Sequence, residues 1–199
     1  MNLYNQNNLA IAKIADKNKN RPEISGVLFE KNKTVATDSF RLIEMSTPKS
    51  LQVSDYPEVT GRKAIEVSAP FIISAEVIKQ LKIPKKSPVD ILKTAAVLSV
   101  DGKTAEFITT DLTSTAITPA PITEGQYPDY KKIYPEGAPV AEVLINASYL
   151  SEVLDILGKL DEVSARVRLK FYGKDKPLVL EASNSEQEAR AMVMGIIER

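Results

Sequence analysis

Thr37, Asp38, Ser39, Phe40, Arg41 and Leu42 set an acid, two hydroxyls, an aromatic ring, a guanidinium and an alkyl chain within six residues. A sheet edge carrying that mixture offers an apolar hollow with polar handles. Read alone, the stretch is foremost a turn with a capped acid. Gly102-Lys103-Thr104 has the look of a phosphate loop, but that loop needs a glycine where Val97 stands, so the triplet reads as a hairpin. Carboxylates such as Asp111 and Glu124 show no evident partner for acid–base work.

The chain has 199 residues, 43% of them hydrophobic, enough to fill a core in one or two domains. It carries 26 basic and 26 acidic residues. Zero net charge argues against coating nucleic acid by bulk charge, while leaving room for a local basic face. Cysteine and histidine are both absent. Disulfides, thiolate or imidazole metal sites and His-based triads are thereby excluded, and neither a catalytic residue, a metal nor a cofactor is expected. No segment approaches the ~20 apolar residues of a membrane span, and the N-terminus lacks a signal-peptide core. A cytoplasmic protein is expected, in which the triplets at Asn32 and Asn146 are chance glycosylation matches.

The elements that must position these groups repeat. A helix is expected over residues 8–17, with Ala10, Ile11, Ile14 and Ala15 on one arc. Strands follow at 24–30, 34–37 and 42–46, then an irregular stretch to 69. The grammar restarts with a strand at 71–73 and a Ser74-capped helix over 75–82. Strands at 89–93, 95–100, 103–109 and 112–118 come next, with Asp101-Gly102 as a tight hairpin turn. It restarts again with a strand at 140–145, an Asn146-capped helix over 147–160, and strands at 163–171, 178–182 and 189–197. A strand–helix–three-strand module of roughly 60 residues thus recurs about three times, the first copy lacking a clear opening strand. The fold class is α+β, with repeated βαβββ units and helices on one face of antiparallel sheets. The expected domains are 1–135, built of units 1–66 and 67–135, and 136–199, a single third unit.

Four segments resemble the bacterial replicative sliding clamp, the beta subunit of DNA polymerase III. Arg21 to Glu30 with Val35-Ala36-Thr37-Asp38-Ser39-Phe40-Arg41-Leu42 looks like the strand pair and turn of that family's middle domain. Gly125-Gln126-Tyr127-Pro128-Asp129-Tyr130-Lys131-Lys132 looks like the segment that closes it. Asn146-Ala147-Ser148-Tyr149-Leu150 looks like the start of the last domain's second helix, and Met192-Val193-Met194-Gly195-Ile196 like its C-terminal strand. They follow the family's order across nearly the whole chain. The family has three domains of two modules each. Here the first domain and the first half of the last have no counterpart. Residues 140–199 can also be aligned to that first half through Glu181 to Ala189, but Asn146, Tyr149, Lys176-Pro177 and the ending favour the second.

The resemblance implies a clamp fold and a pocket that binds linear motifs of DNA polymerases and repair factors. Its implied walls are Thr37, Ser39, Phe40, Arg41, Leu42, Pro128, Lys132, Ile133, Asn146, Tyr149, Val179, Met192, Met194, Gly195 and Ile196. Arg41 and Asn146 would hydrogen-bond the peptide backbone. Phe40 and Gly195 stand where the family commonly has His and Pro, which alters what the pocket accepts. The resemblance also implies helices that touch double-stranded DNA through phosphates, here by Lys13, Lys17, Lys19, Lys79, Lys82, Lys85 and Lys86. The third helix, with Glu152 and Asp155 outward, is not basic. About twelve modules make a ring in the family, so three per chain imply four chains; alternatively an unpaired third module pairs with its own copy. The rival readings are a clamp-fold peptide-binding module that neither closes a ring nor meets DNA, and an enzyme using carboxylates or Ser/Lys.

Overall fold

A computed structural model of the chain describes residues 2–161, 163–173 and 176–196. The chain divides into two units, Met1–Ile133 and Tyr134–Arg199. The first opens with strand β1 (Tyr4–Asn5) and helix α1 (Gln6–Ala10), which tightens into a 3₁₀ turn at Ile11–Lys13. The missing opening strand is therefore present, only two residues long. The helix begins earlier than expected because Asn5 and Asn8 form a capping box. The Asn5 side chain accepts from the Asn8 amide, and the Asn8 side chain accepts from the Asn5 amide. Asn8 is fully buried, and its side-chain amide also donates to the Met45 and Ser46 carbonyls.

Strands β2 (Gly26–Glu30), β3 (Lys33–Thr37) and β4 (Leu42–Ser46) complete the first module. The second has β5 (Phe71–Ser74), helix α2 (Ala75–Ile78), β6 (Thr94–Val100), β7 (Thr104–Thr110) and β8 (Thr115–Pro121). Ser74 caps α2, but the helix ends after one turn rather than at residue 82. Residues 89–93 do not form the expected strand. Asp90–Lys93 is a 3₁₀ turn, tied by an Asp90–Lys93 ion pair and by the Thr94 hydroxyl donating to the Ile91 carbonyl. The last strand starts at Thr115, not 112, because Asp111 accepts from the amides of Thr113 and Ser114 and holds a turn there.

The two modules exchange their opening strands. The sheet orders are β1-β6-β7-β8 and β4-β3-β2-β5, all pairs antiparallel. Each opening strand thus closes the other module's sheet. Gly26 is required where they meet, since a side chain there would collide with the Ile73 carbonyl oxygen. Four rings gather at this seam. Tyr4 lies edge-on to Phe29 at 4.8 Å, Phe71 stacks on Phe29 at 5.3 Å, and Phe107 lies 5.3 Å from Phe29. Around them pack Leu9 and Ile11 from α1 and its extension, Ile78 from α2, and Leu81 just beyond it.

The second unit contains helix α3 (Ala147–Leu157), prolonged as a 3₁₀ turn at Gly158–Leu160, and strands β9 (Arg168–Lys170), β10 (Leu178–Ser183) and β11 (Glu188–Val193). Leu157, Leu178, Leu180 and Val193 form its core. The expected strand at 163–171 shrinks to three residues. Asp161 accepts from the Ser164 amide and the Arg166 guanidinium, and Ala165 takes a left-handed φ of +49°, so the chain cannot be extended there. Leu169 and Phe171 are about half exposed. Among the described residues the expected strand at 140–145 forms one bridge, Ile145 to Gly195. The expected last strand stops at Val193; its end at Ile197 lies outside the described residues.

The modules share one strand register around their turns. Leu28, Val35 and Glu44 stand side by side across β2-β3-β4; Ala96, Ile108 and Ile117 do so across β6-β7-β8; Arg168, Glu181 and Arg190 do so across β9-β10-β11. Asp38, Asp111 and Asn184 then occupy one turn position, spaced 73 residues apart, which lengthens the expected repeat. Phe29→Ala should cost about 3–5 kcal/mol in chemical denaturation of the first unit, because a ring between both exchanged strands is lost.

Candidate functional site

In the first unit the six-residue stretch between β3 and β4 is a turn built on Asp38. Its Oδ1 accepts from the amides of Phe40 (3.0 Å) and Arg41 (2.8 Å). The Thr37 hydroxyl donates to the Arg41 carbonyl at 2.7 Å and accepts from the Ser39 amide. Ser39 has a left-handed φ of +74° and its hydroxyl accepts from Arg21 at 2.8 Å. The same turn recurs in the second module. There Asp111 accepts from Thr113 and Ser114, Thr110 donates to the Ser114 carbonyl, and Leu112 sits at φ +72°. Asn184 plays the part in the third, accepting from Glu186 and Gln187. The acid and the threonine are thus structural, and what distinguishes the first copy is the pair it presents.

That pair is Phe40 and Arg41. Phe40 is 93% exposed. Arg41 does not hold out a free guanidinium as expected: Nε and one terminal nitrogen grip the Asp38 carboxylate at 3.0 and 2.7 Å. The guanidinium, with the two backbone amides, holds the Asp38 carboxyl well below the usual range, at about 2.

Leu42 is half-buried and leads into the closing segment. Tyr127 packs with it against Leu28, Val35, Ile72 and Tyr130, and the Tyr127 hydroxyl donates to the Val35 carbonyl at 3.4 Å. Tyr130 is buried and reaches Glu30 through its hydroxyl, while the Lys33 ammonium sits 5.5 Å from its ring. Between this segment and β2 and β5 runs a groove of about 440 Å³ lined by Leu28, Ile72, Gly125, Tyr127, Pro128 and Tyr130. Pro128 is the one expected site residue that lines it; Thr37 to Leu42 do not. Lys132 is exposed and paired with Asp129 at 2.9 Å, and Ile133 is exposed. Tyr127 and Tyr130 were not among the expected site residues, although aromatics flanking Pro128-Asp129 are the signature of an anchored loop.

Four of the seven expected DNA-contacting lysines share a second groove, of about 510 Å³. Lys13, Lys17, Lys19 and Lys79 line it together with Asp16 and Glu76. Lys19 pairs with Glu76 at 3.1 Å, so the basic character there is partly offset. Lys82, Lys85 and Lys86 are exposed beyond α2 and do not line this groove.

In the second unit Asn146 caps α3, its side-chain oxygen accepting from Ser148 (2.9 Å) and Tyr149 (3.4 Å). The oxygen is therefore committed, and the side-chain NH₂ remains the group that a peptide carbonyl could meet. Tyr149 is 62% exposed on the first helical turn. Val193 is core, while Met192 and Met194 point outward at 66% and 68% exposure, followed by half-exposed Ile196. Gly195 bridges Ile145. Val179 stands opposite Met192 but is only 4% exposed, so it supports that wall from beneath rather than facing a ligand. Among the described residues no three acidic side chains are grouped to hold a metal ion, and no helix is long and apolar enough to cross a membrane.

No family model matches the chain, and no curated protein matches it in sequence. Solved structures do. The chain is similar to the DNA polymerase III subunit beta sliding clamp of Pseudomonas aeruginosa bound to griselimycin, at 20% identity and a TM-score of 0.65, over 92% of this chain and 45% of that one. It is similar to the beta subunit from DNA polymerase of Streptococcus pyogenes at 14% identity and a TM-score of 0.64, over 94% and 46%. It is similar to DNA polymerase III subunit beta of Borrelia burgdorferi in complex with a natural product, at 19% identity and a TM-score of 0.62, over 94% and 44%. The chain thus has the sliding-clamp fold and spans under half the length of those chains.

The turn carries a pH signature. Because the Asp38 carboxyl is depressed in the folded chain, its grip on Arg41 is present above the ordinary carboxylate value near 3.8 and is lost as pH falls through about 2. In an NMR titration the Phe40 and Arg41 amide shifts should turn over near pH 2; a midpoint near 4 would mean that the ion pair does not hold the turn.

Proposed function

We propose that this chain is a sliding-clamp-like, non-enzymatic replication or repair accessory protein that holds linear peptide motifs of DNA polymerases or related factors. The observation that carries this reading is which residues stay out of the core. On a clamp fold, Phe40 and Ile133 in one unit and Tyr149, Met192, Met194 and Ile196 in the other are large, apolar and exposed. Methionine-rich apolar surface adapts to varied peptide side chains. In the first unit Arg41 orders the turn that offers Phe40 and Lys132 supplies charge beside Ile133; in the second Val179 stands opposite Met192.

Double-stranded DNA is the second proposed partner, met through phosphates by the lysine groove between the end of α1 and α2. A rival reading keeps the peptide and drops the DNA, and the Lys19–Glu76 pair favours it by neutralising one of the groove's four lysines. Encirclement of DNA would need several chains, since one chain has three modules.

Two measurements separate these readings. Griselimycin, which the Pseudomonas aeruginosa clamp binds, and a linear peptide from a DNA polymerase are titrated against the wild type, Tyr149→Ala and Met194→Ala. Each substitution should weaken binding by about 1–2 kcal/mol, roughly 5- to 30-fold; equal affinity for all three proteins removes the assigned surface. For DNA, affinity for a random duplex should fall steeply with salt. The log–log slope should drop by roughly one for each of Lys13→Glu and Lys79→Glu. No salt-sensitive binding leaves the peptide-only reading standing.

A further inference from the structure

The C-terminal module has two open sheet edges, and the first unit shows what such edges receive. In the second module the Ile72 carbonyl accepts from the Thr123 amide at 2.8 Å, Ile73 bridges Ile122, and the other side of β5 is paired to β2 of the first module. The third module repeats the first half of this arrangement. The Leu144 carbonyl accepts from the Ile196 amide at 2.7 Å and Ile145 bridges Gly195. Ile72 and Leu144 each lie two residues before the helix cap, Ser74 and Asn146. The second half is missing. Among the described residues no strand pairs with the far side of 142–146, and β9 stands at the edge of its three-stranded sheet. Since backbone groups alternate sides along a strand and Leu144 faces Ile196, the N–H and C=O groups of Val143 and Ile145 face that empty side.

We propose that a second copy of this chain completes the module, each copy laying residues 142–146 along the open edge of the other's β9. The register follows from the internal template. Ile72 pairs with Leu28, and Arg168 occupies the position of Leu28 in the third module. Leu144 therefore pairs with Arg168 of the other copy, Val143 with Leu169, Ile145 with Val167 and Glu142 with Lys170. This register sets Val143 and Ile145 against Leu169, which stands opposite buried Leu180, and against Val167 of the core, as Phe71 and Ile73 are set against Phe29 and Val27. It also sets an acid directly across from a base. It covers the half-exposed Leu169, whose counterparts in the first unit are buried. The exchange is reciprocal, so two copies close it and no edge is left over.

The absence of cysteine makes a direct test available. Within one copy, residue 144 lies beyond β11, with β10 between it and β9, so it is on the order of 14 Å or more from residue 168 and cannot form a disulfide with it. Leu144→Cys with Arg168→Cys should therefore oxidise to a covalent dimer in high yield. Leu144→Cys with Leu169→Cys, whose side chains would point to opposite faces, should not. By light scattering the wild type should have twice the chain's mass or an even multiple. Val143→Pro, which deletes an N–H aimed at the partner, should yield a single chain whose first unit unfolds as before. A wild-type monomer at all concentrations overturns the proposal, as does an assembly in which the 144–168 pair links no better than its control. Neither peptide nor DNA binding enters these readouts, so they fail or succeed independently of the proposed function.

Discussion

The exchange of opening strands is the constraint on which the rest of the first unit depends. Tyr4 and Phe71 come from the exchanged strands, Phe29 and Phe107 from the sheets that receive them, and the four rings meet at one point. Moving either strand would open a sheet edge and uncover those rings together. Helices α1 and α2 follow their strands without a loop, because Asn5 and Ser74 serve both as last strand residue and as helix cap. The exchange therefore also fixes where the helices start, and with them the lysine groove between α1 and α2.

The same geometry explains why a site can be built from a turn that is not itself special. Three modules use one hairpin with an Asx carbonyl or carboxylate accepting two amides. The scaffold is generic, and its tip varies: Phe40-Arg41, Thr113-Ser114, Glu186-Gln187. Only the first presents an aromatic ring. Function in such a repeat is written on the tips and edges that packing leaves free.

Much of this was legible in the sequence because local chemistry and tertiary structure agree. Ser74 and Asn146 act as caps, β4 has its expected bounds, and Asp101-Gly102 turns as expected with φ +86° at Gly102. Phe40, Tyr149, Met192 and Met194 are exposed, whereas Arg41 is held by Asp38 and Val179 is buried opposite Met192, because no word reveals that Asp38 takes the guanidinium or which residue stands across the strand from Val179. At 163–171 apolar alternation was present, but Asp161 accepted the Ser164 amide and bent the backbone into a turn. The 73-residue period was visible in the hydroxyl–Asx pairs Thr37-Asp38, Thr110-Asp111 and Ser183-Asn184, and was obscured by unequal loops elsewhere.

Strand exchange has a bearing on synthesis as well as on form. Tyr4 finds its partner at Ala95, and Val27 finds one of its own at Ile73. On a ribosome the first module cannot complete its sheet until the chain has grown well past its own last strand, so the earliest residues are held out of register with the folding they belong to. Long-range pairing of this kind raises contact order and slows folding, and it leaves Gly26 to Glu30 an exposed strand edge in the meantime. The nascent chain is thus most vulnerable to capture by another strand during the interval before β5 and β6 emerge.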